Sequence, residues 1–387
     1  MSDAKIPFLI REDQFLSEMK ETVDPCLDAC VRESFLYREE GRPIYCSWFT
    51  PKEPKATVVL SHGFTETADK YREVIWYFLQ AGYAVAAMEH SGHGRSYGLL
   101  DDKELKPSES QKNHGRKEQG QSGQREIKDN KDNRDCGQQV DQKRIEGSKE
   151  RGQTGSQEGR DRVYIDTWMR YRDDLLFVAH AVQDEFRKLP LFLFGHSMGG
   201  GIAAAAAAKE PALFAGAVLS SPMIRPVSGG IPWMLTKGIC GLYCAAGKAA
   251  DYAPGQGPCN LDETFEDSAG SSKPRFQYYQ EIRRAKAYCQ MGGATYGWMR
   301  AAAKLSDWLL SDGWKTVSCP LLLFQADKDT FVMNAQQTEF IQKVQSHNQA
   351  ARLIHVDGTK HEIFNSEDKI LREYWTEIIT FYNNCRK

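Results

Sequence analysis

Leu191-Phe192-Leu193-Phe194-Gly195-His196-Ser197-Met198-Gly199-Gly200-Gly201 decides how this chain reads. The apolar run fits a buried strand, Gly-His-Ser-Met-Gly fits a sharp turn, and the alanines from Ala203 to Ala208 continue as a helix. Strand, turn and helix is the setting in which G-x-S-x-G forms a nucleophile elbow, with Ser197 on a strained turn and its hydroxyl above the sheet. Gly195 and Gly199 then have a steric reason, since a Cβ at either would run into the neighbouring strand or helix. Five residues with two glycines recur by chance, and it is the flanking strand and alanine helix that give the pattern weight.

Outward from the elbow the chain alternates strand and helix. Upstream, residues 33–50 alternate apolar and polar around Glu39-Glu40-Gly41-Arg42-Pro43, which predicts a β-hairpin. Thr57 to Gly63 reads as a buried strand ending in a glycine turn, Tyr71 to Leu79 as a helix stopped by Gly82, and Tyr83 to Met88 as a second strand, together a parallel βαβ unit. Trp168 to Val182 predicts an amphipathic helix leading to the elbow strand. Downstream come a strand at Ala217-Val218-Leu219, an irregular aromatic stretch, a strand at Leu321 to Ala326, a helix over 335–344, a strand over 352–356 and a terminal helix over 367–382. The irregular stretch, 223 to about 316, contains no strand of core type and reads as a helical cap.

From about Asp102 to Asp161 the composition turns almost wholly polar, with both signs of charge mixed. Such a segment buries too little apolar area to offset its ordering entropy, so a disordered, linker-like surface insertion is expected. The expected organisation is a core over 1–222, interrupted by that insertion, a cap over 223–315 and the rest of the core over 316–387.

At 387 residues the chain can form one large α/β domain or two smaller ones. Its 50 basic and 52 acidic residues nearly cancel, which argues against nucleic acid and against an electrostatic membrane anchor. Any peripheral membrane contact must be apolar and local. The opening residues lack the apolar core of a signal peptide, and no run approaches the roughly 20 apolar residues that span a bilayer, so the expected place is the cytoplasm or the inner face of its membrane. Ten cysteines follow no disulfide rhythm. Cys26/Cys30 and Cys240/Cys244 share helix faces, but no histidine completes a metal set, so small buried residues with free thiols are expected and no metal or cofactor is implied.

A serine nucleophile needs a base and a carboxylate to orient it, in the chain order Ser, Asp or Glu, His for this architecture. His347, His355 and His361 follow the elbow and a strand-end acid. His347 falls near a helix end and His355 within a strand, where a buried structural histidine is the ordinary explanation. His361 lies in the turn past a strand's C-terminal end, the edge where sites form in open α/β sheets. Asp327 and Asp329 both follow the strand ending at Ala326, and position alone does not separate them from each other or from ordinary turn aspartates. Oxyanion donors are expected at the N–H of Met198 and in the loop His62-Gly63-Phe64.

His62-Gly63-Phe64-Thr65-Glu66, Glu89-His90-Ser91-Gly92-His93-Gly94-Arg95-Ser96, Gly195-His196-Ser197-Met198-Gly199, Ala326-Asp327-Lys328-Asp329-Thr330-Phe331-Val332 and Gly358-Thr359-Lys360-His361-Glu362 resemble the α/β-hydrolase superfamily, in its branch of monoacylglycerol lipases and bacterial lysophospholipases. The resemblance covers the chain outside the polar insertion, where relatives have a short connection. It implies an α/β-hydrolase fold, a mostly parallel central sheet flanked by helices with an inserted cap. It also implies Asp329 as the acid, three residues before Val332, and Phe64 as the second oxyanion donor. The implied activity is a serine esterase of lipid metabolism that cleaves a lysophospholipid through an acyl-enzyme, with monoacylglycerol or a small ester as the alternative. Trp233, Leu235, Ile239 and Tyr243, with Leu242, Tyr278 and Tyr279, either line an acyl pocket in the cap, where each buried CH₂ contributes roughly 0.8 kcal/mol, or simply pack it. A non-catalytic lipid- or partner-binding module on the same fold is the rival from another class; no catalytic residue type is missing to favour it.

Overall fold

In the computed structural model, which describes residues 9–100 and 162–386, the elbow strand β5 (Leu191–His196) is buried along its whole length at the middle of an eight-stranded sheet. The strands are β1 (Arg32–Glu39), β2 (Arg42–Phe49), β3 (Ala56–Ser61), β4 (Tyr83–Met88), β5, β6 (Gly216–Ser220), β7 (Leu321–Ala326) and β8 (Ala351–Val356), ordered β1-β2-β4-β3-β5-β6-β7-β8. β1, β2 and β4 pair antiparallel and every other neighbour pair is parallel. The predicted hairpin is β1–β2, turning through Gly41 at φ +74°. The expected insertion at about 102–161 lies outside the described residues.

Period-two side chains explain the layering. Val59, Leu193 and Leu323 point into one apolar cluster and Val58, Phe192, Phe194, Leu322 and Phe324 into the other, so each central strand is covered on both faces. The helices are α1 (Phe15–Glu18), α2 (Asp24–Cys30), α3 (Arg72–Gln80), α4 (Trp168–Glu185), α5 (Ser197–Lys209), α6 (Trp233–Ala245), α7 (Lys273–Ala285), α8 (Tyr296–Ser311), α9 (Asn334–Gln345) and α10 (Asp368–Cys385). α4, α5, α8 and α9 supply the first cluster; α1, α2, α3 and α10 supply the second. The cap stretch is thus mixed: α8, with Ala301, Leu305 and Leu309, is built into the core.

The N-terminal helices were not legible as such. Phe15, Met19, Val23 and Leu27 repeat every four residues, longer than the 3.6 of an α-helix, and the π turn Met19–Val23 between α1 and α2 absorbs the difference so that all four stay buried. Cys26 and Cys30 are exposed there, contrary to expectation, because the buried face of this segment belongs to that apolar row. No helix among the described residues is long and apolar enough to cross a membrane.

Register aligns the strand ends that matter. Ser61 sits opposite Gly195, His196 opposite Ser220 and Ala326 opposite Val356, so the chain leaves β3, β5, β7 and β8 at one edge of the sheet.

Candidate active site

Ser197 ends β5 and begins α5 with φ +51°, a left-handed conformation that costs a non-glycine residue roughly 1–2 kcal/mol. Crowding holds it there. A Cβ at Gly195 would lie 2.6 Å from the Gly199 carbonyl oxygen, and one at Gly199 would overlap the carbonyls of Ser61 and His62. The Met223 N–H donates to the Ser197 carbonyl at 2.7 Å, and Ser61 Oγ donates to the Gly199 carbonyl at 3.1 Å.

Ser197 Oγ lies 2.8 Å from His361 Nε2, and His361 Nδ1 lies 2.7 Å from Asp329 Oδ2. The carboxylate only accepts, so Nδ1 carries the proton and Nε2 accepts from the serine hydroxyl. The second Asp329 oxygen accepts the N–H groups of Phe331 at 2.9 Å and Val332 at 3.0 Å. The Asp329 carboxylate is fully buried and the His361 side chain nearly so. Asp327 is exposed, and its N–H donates to the Val356 carbonyl at 3.3 Å. His355 is exposed on edge strand β8, not buried, and His347 Nε2 meets the Val317 carbonyl at 3.2 Å.

Of the two expected oxyanion donors, Met198 stands in the first turn of α5, whose N–H groups have no intrahelical acceptor. Phe64 follows β3, borders the same cavity as Ser197, and packs its ring on Trp298 at 4.2 Å. The Gly63 N–H before it donates to Glu66 Oε2 at 2.7 Å and to Tyr71 Oη at 3.2 Å, and Tyr71 donates to the same carboxylate at 2.5 Å. His62 donates from Nδ1 to the Gly63 carbonyl at 2.7 Å and accepts the His90 N–H on Nε2 at 2.9 Å. That pattern requires a neutral ring, and burial pushes His62 down to about 4. The loop Gly92 to Ser96 is tied by Arg95, which pairs with Glu89 and Asp69 and lies between the rings of Tyr45 and Tyr288.

Lys70, Glu66 and Glu362 were not singled out by motif reading as a group. Lys70 Nζ donates to Glu66 Oε1 at 2.8 Å and to Glu362, joining the loop after β3 to the loop that carries His361. Burial alone would raise Glu66, but the Lys70 ammonium and the neighbouring His196 outweigh it and hold the carboxyl well below its usual range. Burial likewise disfavours the charged Lys70, and its two carboxylates more than compensate. The available signals were the i,i+4 spacing of Glu66 and Lys70 and the position of Glu362 next to His361.

A cavity of about 190 Å³ opens beside Ser197, bordered by Phe64, Lys70, Phe331 and His361 and, from α7, by Phe276, Tyr279, Gln280 and Arg283. Trp233, Leu235, Ile239 and Tyr243 do not line it. Their helix α6 turns Thr236 and Cys240 inward and stacks Tyr243 on Tyr296 of α8 at 4.3 Å, which leaves Leu235, Leu242 and Met234 in solvent. Phe276, Tyr279, Gln280 and Arg283 fall at i, i+3, i+4 and i+7 of α7, one helix face whose spacing was readable. Among the described residues no group of His, Cys, Asp and Glu could hold a metal.

The chain is similar to known hydrolases over most of its length. It is 23% identical over 335 residues to the monoacylglycerol lipase of Mycolicibacterium smegmatis, covering 85% of this chain and 89% of that one. It is 22% identical over 347 residues to lysophospholipase L2 of Escherichia coli, covering 88% and 84%. The match to rat monoglyceride lipase, at 25% identity, spans 49% of this chain and 42% of that protein. The crystal structure of a soluble variant of monoglyceride lipase from Saccharomyces cerevisiae superposes with a TM-score of 0.61 at 14% identity, over 92% of this chain and 96% of that one, a likeness of fold. A family described as "alpha/beta hydrolase fold" matches residues 56–237, and one described as "Serine aminopeptidase, S33" matches 149–368. The chain belongs to the serine aminopeptidase S33 family, on an α/β-hydrolase fold.

Proposed function

We propose that the protein is a carboxylic ester hydrolase acting on a lipid monoester, a lysophospholipid or a monoacylglycerol, with Ser197 as nucleophile, His361 as base and Asp329 orienting the base. The observation that carries this is the unbroken hydrogen-bonded chain from Ser197 Oγ through His361 to buried Asp329. His361 Nε2 takes the hydroxyl proton as Oγ attacks the ester carbonyl, and Asp329 stabilises the imidazolium. The N–H groups of Met198 and Phe64 receive the oxyanion, each worth about 2.7–4 kcal/mol in the transition state. His361 then returns its proton to the leaving alkoxide, and water, deprotonated by the same imidazole, releases the fatty acid.

The named relatives act on monoacyl lipids, which supports an ester over a peptide. Met234, Leu235 and Leu242, exposed together on α6, support a local apolar contact with a lipid surface. Leu235→Glu with Leu242→Glu should lower co-sedimentation with phosphatidylcholine vesicles. For the reaction itself, a fluorophosphonate probe should label the wild type and not Ser197→Ala; equal labelling of both would overturn the nucleophile assignment.

A further inference from the structure

We infer that Phe331 is a positioning residue for the base: its ring lies against the His361 imidazole, holds it in line with Ser197, and stabilises the imidazolium that forms when the serine proton is taken. This rests on the reading of His361 as base and adds to it a residue outside the triad.

Two aromatic rings meet His361. The His196 ring lies 4.8 Å away, centroid to centroid, and the Phe331 ring 5.1 Å away, tilted 30° from the imidazole plane. His196 is fully buried and donates from Nδ1 to the Ser220 carbonyl at 3.1 Å. Burial keeps it neutral, so it adds no charge to repel an imidazolium. Phe331 borders the cavity and is 48% exposed, so burial does not account for where its ring stands.

The backbone of residue 331 is fixed independently of that ring. Its N–H donates to Asp329 Oδ1 at 2.9 Å, and its carbonyl accepts the Val227 N–H at 2.9 Å. One residue therefore serves both the acid and the base: the main chain turns the carboxylate, and the side chain lies on the imidazole. A change of side chain leaves the Asp329 bond in place.

The proposed chemistry gives the ring a task. His361 gains a proton on Nε2 as Oγ attacks and returns it to the leaving alkoxide, so positive charge appears and disappears on an imidazole that must not turn. The Asp329 bond alone leaves the imidazole free to swing about Nδ1, and a ring packed against it removes that freedom. A cation within about 6 Å of an aromatic centroid is also attracted by the ring quadrupole; at a partly exposed site this corresponds to about a two- to fivefold change in rate. Leucine at this position would keep an apolar contact and lack the quadrupole.

The test uses two reagents without a long acyl chain, p-nitrophenyl acetate and diisopropyl fluorophosphate, on Phe331→Leu and Phe331→Tyr. Phe331→Leu should lower kcat for the acetate and the rate constant of inactivation by the fluorophosphate about two- to fivefold, with KM and the melting temperature unchanged. Phe331→Tyr, which keeps the ring, should restore both rates. Wild-type rates in Phe331→Leu, equal losses in the two variants, or a change confined to KM overturn the inference, and the esterase reading stands as long as Ser197→Ala is inert to the fluorophosphate. Modification of Ser197→Ala at the wild-type rate overturns both.

Discussion

Lys70→Met tests whether the ion network behind the site carries structural weight. The substitution keeps most of the side-chain volume and removes the ammonium shared by Glu66 and Glu362, both buried. Removing one partner of a buried pair costs about 3–5 kcal/mol, because the remaining charge stays desolvated and unpaired. A domain of about 300 residues has a melting entropy of roughly 0.6 kcal/mol/K, so the variant should melt about 5–8 °C below the wild type at pH 8. The deficit should also depend on pH. With Lys70 gone, burial dominates at Glu66 and lifts its folded pKa above the unfolded one. The folded variant then binds a proton that the unfolded chain does not, and its stability recovers as pH falls. Differential scanning calorimetry at pH 8 and pH 5.5 reads both effects. A variant within 2 °C of the wild type at pH 8, or a deficit that grows on acidification, would refute the reasoning.

Asp329→Asn should lower kcat about 10⁴-fold while the melting temperature moves by only a few degrees, since an amide leaves the imidazole in the wrong tautomer; steady-state kinetics beside calorimetry decides, and a drop under tenfold counts against the assigned role. Gly199→Ala forces a Cβ into the carbonyls of Ser61 and His62, rigid backbone that cannot rotate away, so unfolding in urea should show at least about 1–3 kcal/mol of destabilisation together with lost turnover, Phe64 being carried by the same loop; wild-type behaviour would contradict the packing. Burial depresses His62 and His196 to about 4 and His93 to about 3. Below pH 6.5 the unfolded chain therefore takes up protons that the fold refuses, and stability should fall steadily from about pH 6.5 towards pH 4, by roughly 3 kcal/mol for each of His62 and His196 over that range; a flat melting temperature between pH 7 and pH 5 would exclude this.

What could be read from the sequence was what is local. The elbow is a steric pattern confined to a few residues, and alternating apolar runs give strands and helices wherever burial follows one period. Order along the chain selected His361. It did not separate Asp327 from Asp329, because the distinction is which carboxylate is captured by the N–H groups of residues 331 and 332 and turned towards a histidine from another strand. Lys70 escaped for the same reason, its second carboxylate being 292 positions away. In the cap, composition announced apolar helices without saying which face turns inward. α6 spends its small residues on α8 and exposes its leucines, while α7 presents one mixed face to the cavity.

Ser197, His361 and Asp329 sit on segments locked by groups outside the proposed chemistry. Ser61 and Met223 hold the elbow, His62 joins its loop to His90, and Lys70 ties the loop after β3 to the loop of His361. Geometry set in this way does not wait for substrate to assemble it, which is the condition for electrostatic stabilisation without reorganisation. The cap braces these loops as well: the Glu362 N–H donates to the Ala269 carbonyl at 2.9 Å, the Ser271 and Ser272 N–H groups donate to the Asn365 carbonyl at 3.0 Å and 2.9 Å, Lys360 Nζ donates to the carbonyls of Glu266 at 2.9 Å and Ser268 at 3.0 Å, and the Lys70 ammonium lies 4.8 Å from the Tyr279 ring centroid. The bonds that hold the loop of His361 therefore come from both the core and the cap. α7 takes part through Tyr279, whose ring meets the Lys70 ammonium, so a change on its cavity face reaches the loops of Phe64 and His361 as well as the cavity.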